Sequence, residues 1–137
     1  MSAPFHFLHM RIFTALTAVF CCILLAGCNT VDSVQPGKGQ KFTVAARSYD
    51  QLWKATVTVV SRQLTIVEES KPAGSLKAES KAGFTTYGEV VGVFIHPAGV
   101  NAASYEIEVV SLKRDAIQIT GQDWTNTIIA GIKAELQ

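Results

Sequence analysis

Three groups of residues in this sequence are of the types that carry out acid–base or metal chemistry. Glu106 and Glu108 alternate with apolar residues, Glu68 and Glu69 are adjacent, and His96 precedes a proline. Glycosidases use paired carboxylates to protonate and attack a glycosidic bond, and an imidazole can act as a general base or bind a metal ion. A hydrolase that uses carboxylates alone is therefore one hypothesis for this chain.

The spacing of these residues favours a structural role over a catalytic one. A zinc site needs three or four ligands, and His96 is the only histidine after residue 27, where Cys28 is the only cysteine. A serine nucleophile would have no base other than His96. The alternation around Glu106 and Glu108 predicts a strand with a solvated face. We therefore predict no catalytic residue, no metal and no cofactor apart from covalently attached lipid.

The residues with the clearest chemical meaning are Leu25-Ala26-Gly27-Cys28. They end an apolar run, residues 12–25, that follows Arg11 and is shorter than the roughly twenty residues a membrane-spanning helix needs. The pattern resembles the lipobox of bacterial lipoproteins, in which the cysteine receives a diacylglyceryl group, the signal peptide is cut before it and the new amine is acylated. The resemblance implies that residues 1–27 are removed and that Cys28 carries the lipid. An ordinary secretory signal is our second interpretation and an uncleaved anchor the third.

The lipoprotein resemblance also implies a location. Asn29 follows the cysteine, and in the sorting scheme of enterobacterial lipoproteins an aspartate there would favour retention in the inner membrane. We predict attachment to the periplasmic face of the outer membrane, with the inner membrane as the alternative. Residues 1–9 carry no lysine or arginine, so we hypothesise that translation starts at Met10 rather than Met1.

Removal of the signal would leave a single neutral domain. The 137-residue chain would lose 27 residues, and the remaining 110 suffice for one domain. Arg11 is the only charged residue that would be lost, so 11 basic and 11 acidic side chains would remain. This balance argues against nucleic acid as a partner. Cys21 and Cys22 would leave with the signal, so no disulfide is expected.

The mature chain divides into a linker and a folded domain. Residues 28–40 start with Cys28, whose lipidation the lipobox resemblance implies, and the following residues contain Pro36, Gly37 and Gly39 and no apolar periodicity, which predicts a flexible tether. Residues 41–137 form the predicted domain. Its strands are expected at residues 41–46, 64–69, 76–81, 84–95 and 104–112, with residues 117 and 119 continuing the inward-facing row.

Two helices complete the predicted domain. The first begins at Ser48, which forms a capping box with Gln51, and Asp50 is expected to pair with Lys54. The second follows Asp123 as its N-cap. The order strand, helix, strands, helix predicts an α+β domain of two layers, in which both helices cover one face of an antiparallel meander sheet and the other face is wet.

This order, with residues 49–55 on the first helix and Asp123-Trp124 before the last, resembles small Gram-negative lipoproteins of unknown function. It is also similar to the helix-grip modules in the lipoprotein component of the outer-membrane barrel-assembly machinery. That component has more than one such module and a long unstructured segment that this chain lacks. The resemblance implies a fold and an envelope location, and it assigns no functional residue.

Two glycines on one predicted strand suggest a depression in the sheet. Gly88 and Gly92 are four residues apart, so both would face the same side and leave a shallow trough. We favour room for the indole of Trp53 or Trp124, because large aromatic side chains are more often core than ligand platforms. The alternative is a groove for an acyl chain or a peptide.

The same strand is apolar on both faces, which exceeds what a two-layer domain needs. Val91, Val93 and Ile95 would then form an exposed stripe that contacts another envelope protein or a second copy of the chain. The alternative is that the loop at residues 97–103 covers this stripe.

Three functions follow from these observations, in decreasing order of preference. The first is a non-enzymatic, lipid-anchored envelope module that acts by protein contact. Its expected partners are the membrane, through the lipid, and another envelope protein or a second copy of the chain. The second is a module that binds a small apolar ligand or a peptide. The third is the carboxylate hydrolase.

Overall fold

The computed structural model describes residues 28–83, 86–99, 104–115 and 118–137. The predicted signal at residues 1–27, both candidate start codons, the start of the predicted strand 84–95, the end of the loop 97–103 and Ile117 lie outside these ranges. Five strands are present: β1 (Gln40–Ala45), β2 (Thr65–Ser70), β3 (Ser75–Glu79), β4 (Glu89–Pro97) and β5 (Ser104–Lys113). Helix α1 (Tyr49–Ser61) lies between β1 and β2, helix α2 (Thr125–Glu135) follows β5, and a short 3-10 helix (Val31–Ser33) precedes β1.

The strands form one sheet in the order β1-β5-β4-β3-β2. Strands β2 to β5 are neighbours in sequence order, and every neighbouring pair is antiparallel. Helix α1 connects β1 to β2, which lie at opposite edges of the sheet. Strand β1 pairs with β5. The predicted α+β meander sheet is confirmed. Among the described residues, no helix is long and apolar enough to cross a membrane.

The predicted capping box at the start of α1 is confirmed. The Ser48 hydroxyl accepts the Gln51 amide at 3.2 Å, and the Gln51 side-chain oxygen accepts the Ser48 amide at 3.0 Å. These reciprocal bonds satisfy two backbone donors that the first helical turn leaves free. Asp50 was predicted to pair with Lys54, but its carboxylate pairs with Lys71 at 2.9 Å instead.

The start of α2 differs slightly from the prediction. Trp124 occupies the N-cap position and makes no side-chain capping bond. Asp123 lies one residue earlier, and its carboxylate accepts the Thr125 amide at 2.9 Å. The carboxylate therefore serves an exposed amide of the first turn, as an N-cap does, from outside the helix.

Both helices pack on one side of the sheet, which we call the helix face. Its core consists of buried apolar side chains from α1, α2 and alternate strand positions, including Leu52, Trp53, Leu76, Val91, Val93, Ile95, Ile107, Val109, Ile128 and Ile132. Burying each of these large side chains contributes roughly 1.5–3 kcal/mol before the entropy of ordering is subtracted. The helix face is therefore the main source of stability.

The other side, which we call the opposite face, is not uniformly wet. It carries a second apolar cluster of Val34, Val90, Phe94 and Val110, each 4% exposed or less. Val34 comes from residues 29–39, here called the N-terminal segment, which lies against β4 and β5. The residues predicted to be a flexible tether thus include a folded cover for the sheet.

Candidate functional site

The N-terminal segment is held by a buried carboxylate in the middle of the opposite face. Glu108 on β5 is 1% exposed, and its Oε1 accepts the amide of Gly37 at 2.7 Å and the amide of Gly39 at 2.6 Å. Hydrogen bonds to an ionised acceptor are stronger than neutral ones. Glu108 therefore fixes the segment to the sheet, a structural role in place of the solvated position that we predicted.

The second carboxylate of the candidate pair remains at the surface. Glu106 lies 2.8 Å from the ammonium of Lys41 on β1, and this hydrogen bond and charge raise the pKa of Lys41. The same ammonium lies 3.9 Å from Oε2 of Glu108. One cation thus bridges the two carboxylates, and both are engaged in holding β1 and the segment before it.

The backbone of the segment comes so close to β5 that there is no room for a side chain at Gly39. A Cβ atom on Gly39 would lie 2.3 Å from the carbonyl oxygen of Val109. Further along, the Val34 side chain fills the space above Gly92, where a Cβ atom would lie 2.3 Å from its Cγ1. Gly39 and Gly92 therefore allow the segment to dock.

The segment begins beside the open end of the β4–β5 hairpin, where β4 starts and β5 ends. The Asn29 amide donates to the carbonyl of Arg114 at 2.7 Å, and its side-chain nitrogen donates to the carbonyl of Lys113 at 2.7 Å. Cys28 precedes these bonds directly, and its thiol is free and exposed. The candidate lipidation site thus lies at a defined end of the sheet.

The predicted partner surface on β4 is wrong. Val91, Val93 and Ile95 are 1%, 1% and 3% exposed and belong to the core beneath the helices. Both faces of β4 are apolar, so the alternation did not reveal which set points toward α1 and α2. Charged substitutions at Val91 or Val93 would consequently disrupt the core, and they are unsuitable as probes of a partner.

Both interpretations of Gly88 and Gly92, the favoured room for an indole and the alternative groove, are wrong. Gly92 faces the opposite face and is covered by Val34, whereas Trp53 belongs to the helix-face core and Trp124 packs against it. Gly88 precedes β4 with a φ of +86°, and its Cβ position is only 2.7 Å from the Ser80 carbonyl. The two glycines therefore serve close backbone packing at different places and leave no common trough.

The structure reveals a second buried carboxylate that the sequence analysis did not single out. Glu89 at the start of β4 is 3% exposed and accepts hydrogen bonds from the hydroxyls of Ser80 and Thr86 and from the Trp124 indole. Burial alone would raise the pKa of Glu89, but hydrogen bonds from these groups and the Gln122 amide hold the pKa below its ordinary value. Glu89 is therefore an ionised hub that fastens the residues before α2.

An open cleft of about 520 Å³ lies above this hub. Its walls come from the end of α1, the end of β3 and the residues before α2, including Arg62, Leu64, Glu79, Lys81, Glu89 and Trp124. Most of the lining residues are polar or charged, with Leu64 and Trp124 as the exceptions. Ligand pockets for small apolar molecules are lined predominantly by hydrophobic and aromatic side chains, so the cleft does not have that character.

The remaining sequence candidates lie apart. His96 is partly exposed on β4 and faces Glu106 across the strand pair. Glu68 on edge strand β2 forms an ion pair with Lys77 at 3.0 Å, near the edge of the sheet that is farther from Glu106, and Glu69 is exposed. In the part of the chain that the structure describes, no group of three or more His, Cys, Asp or Glu residues is arranged to hold a metal ion.

Ile119 is a further difference from the predicted pattern. It was expected to continue the inward-facing row of β5, but β5 ends at Lys113 and Ile119 is 95% exposed. Comparisons with known proteins add nothing to this site, since neither the family models nor the curated proteins include a match to the chain.

Proposed function

We propose that this protein is a lipid-anchored envelope protein at the periplasmic face of the outer membrane, where it acts by contact rather than by catalysis. The observation that carries the proposal is the position of Cys28. Cys28 is the last residue of the lipobox-like sequence, and its thiol is exposed. The next residue, Asn29, donates its amide to the Arg114 carbonyl at 2.7 Å.

This arrangement suits the chemistry of lipoprotein maturation. Alkylation needs an accessible thiol, and acylation after cleavage needs an accessible amine on the same residue. An exposed Cys28 offers both without unfolding the domain, because the interactions of the segment with the sheet start at Asn29. Each acyl methylene buried in the bilayer contributes roughly 0.8 kcal/mol, so several chains would anchor the protein stably.

A contact function is also supported by the state of the buried carboxylates. Oε1 of Glu108 accepts two backbone amides, and Glu89 accepts bonds from several side chains. A general acid at neutral pH needs a raised pKa, whereas the hydrogen bonds around Glu89 lower the pKa of that group. Glu89 is therefore not placed as the proton donor of a hydrolase, and Glu108 is occupied by the segment that it holds.

The alternative function, binding of a small apolar ligand or peptide, has lost the groove on which it depended. Val34 occupies the space above Gly92, and the cleft above Glu89 is bordered mainly by polar groups. We therefore keep the contact function as the preferred one.

The anchor is tested by mass spectrometry of the full chain expressed in a Gram-negative host, with Cys28→Ala as the matched variant. The expected product starts at Cys28 and carries covalent diacylglycerol and an N-acyl chain, while the variant carries no lipid. Fractionation of the membranes then gives the location. An unmodified Cys28 in a chain cleaved elsewhere would contradict the proposal.

The mode of action is tested by crosslinking in intact envelopes with an affinity tag after Gln137, which is exposed at the end of the chain. The contact function predicts a reproducible protein partner or a second copy. Recovery of one small molecule in stoichiometric amount, without a protein, would favour the binding module.

A further inference from the structure

The end of the sheet beside Cys28 carries two exposed apolar side chains. Of the described residues, the large apolar side chains most exposed to solvent are Ile119 at 95%, Tyr87 at 68% and Val67 at 52%. Val67 lies on edge strand β2. Tyr87 lies in the connection before β4, and Ile119 lies in the connection after β5. The two connections meet at the open end of the β4–β5 hairpin, near Asn29.

A chain of hydrogen bonds connects these residues to the anchor. The bonds are Asn29 Nδ2 to the Lys113 carbonyl at 2.7 Å, the Arg114 amide to the Gly88 carbonyl at 3.2 Å, the Tyr87 amide to Gln118 Oε1 at 3.2 Å and Lys113 Nζ to the Gln118 carbonyl at 3.3 Å. Ile119 follows Gln118 directly. We call this group, with Cys28, the Cys28 end of the domain.

The anchor reaches the domain without a spacer. Consecutive Cα atoms are about 3.8 Å apart, so a lipid on Cys28 begins one residue from a backbone that is bound to β5. A free tether of twelve residues would instead allow a separation of roughly 20 Å. The Cys28 end is therefore held at the level of the lipid headgroups, where its effective concentration at the bilayer is high.

We propose that Tyr87, Ile119 and Lys113 form a surface that contacts the lipid bilayer and fixes the orientation of the domain on the membrane. This inference rests on the proposed lipidation of Cys28. A tyrosine ring suits the membrane interface because it is amphipathic. An isoleucine side chain gains by leaving water, and a lysine is attracted to anionic headgroups.

The experiment uses the full chain, lipidated in cells, purified and reconstituted into vesicles of phosphatidylethanolamine and phosphatidylglycerol. In the lipidated chain Cys21 and Cys22 have left with the signal and the thiol of Cys28 carries the diacylglyceryl group, so an introduced cysteine is the only free thiol. Ile119→Cys and Tyr87→Cys are each labelled with an environment-sensitive fluorophore. Ala73→Cys is the matched control, because Ala73 is exposed in the turn between β2 and β3 at the other end of the sheet.

A bilayer contact predicts that labels at positions 119 and 87 shift their emission to the blue and are quenched by lipids that carry a quencher near the headgroup. The label at position 73 is expected to stay unquenched. The blue shift and the quenching should both require vesicles. They should be absent when the unlipidated Cys28→Ala chain carries the same labels at the same concentration in buffer without vesicles or detergent.

Three outcomes would overturn the inference, and they are distinguishable. If the protein floats with the vesicles but positions 119, 87 and 73 are equally unquenched, the anchor stands and the contact surface is wrong. A blue shift without lipid quenching means that a second copy covers the surface. If the chain neither floats nor carries lipid by mass spectrometry, the proposed function fails together with the inference.

Discussion

The helix face of the sheet is covered by two helices through apolar side chains, whereas the opposite face is covered by the N-terminal segment, which is held largely by hydrogen bonds. Among the residues that the structure describes, the helix-face core has fourteen buried residues and the second cluster has four. The segment contributes a single fully buried side chain, Val34, and two amides that bind Glu108. One face therefore stabilises the domain, and the other positions Cys28.

The largest difference between the faces should come from a charge in the helix-face core. Val93→Asp places a carboxylate at a position that is 1% exposed, and we expect a loss of more than about 4 kcal/mol in unfolding free energy. Val67→Asp is the matched control, since Val67 is 52% exposed and its change should stay within about 0.5 kcal/mol. Urea denaturation followed by circular dichroism measures both, and a folded, stable Val93→Asp would contradict the assigned face.

Smaller truncations sharpen the comparison. Ile107→Ala on the helix face should cost about 2–5 kcal/mol. Val34→Ala on the opposite face removes two buried carbons and should cost about 1.6 kcal/mol. The expected order, measured by urea denaturation, is Ile107→Ala well below Val34→Ala in stability. Equal losses would mean that the N-terminal segment belongs to the main cooperative core.

The hydrogen bonds of the opposite face are tested by two glutamine variants on one strand. Glu108→Gln keeps the shape but removes the charge that binds Gly37 and Gly39, and we expect a cost of about 1 kcal/mol. Glu106→Gln removes a carboxylate from an exposed ion pair with Lys41, which should cost less than about 0.5 kcal/mol. Amide hydrogen exchange should accelerate at Gly37 and Gly39 only in Glu108→Gln. Faster exchange in both variants, or in neither, would contradict this role.

The smallest expected difference concerns pH. Because hydrogen bonds lower the folded-state pKa of Glu89, its ionised form contributes stability above the unfolded pKa, and this contribution is lost as the pH falls through the folded pKa. Glu89→Gln should therefore be less stable than the wild type at neutral pH, and the gap should narrow in acid. Glu69→Gln, at an exposed position, is the control, and a gap independent of pH would argue against the lowered pKa.

The elements that apolar periodicity and capping define could be predicted from the sequence. The Ser48–Gln51 capping box and the apolar spacing of α1 predicted a helix despite a run of β-branched residues, and packing against the sheet explains why that run stays helical. Alternation likewise predicted β1, β3 and β5, whereas β4 was predicted from an apolar run at residues 84–95 and begins only at Glu89. The α+β arrangement follows from these local signals because short connections favour antiparallel neighbours.

The cover of the opposite face could not be predicted in the same way. The sequence around Pro36, Gly37 and Gly39 is typical of a linker, because docking there uses backbone amides and the absence of side chains rather than an apolar pattern. Glu108 alternated as a surface residue would, and only its partners reveal its burial. Position 92 provided one weak signal, since a glycine inside a strand often marks a close approach of other atoms.

The docked N-terminal segment should hold Cys28 at one end of the sheet. The most direct test is a nitroxide spin label on Cys28 of an unacylated chain of residues 28–137, read by paramagnetic broadening of amide signals. We predict strong broadening at Gly88, Arg114 and Ile119 and none at Ala98, which lies beyond the other end of β4. Weak broadening spread evenly over both ends, as expected from a free tether with a span of roughly 20 Å, would contradict the claim.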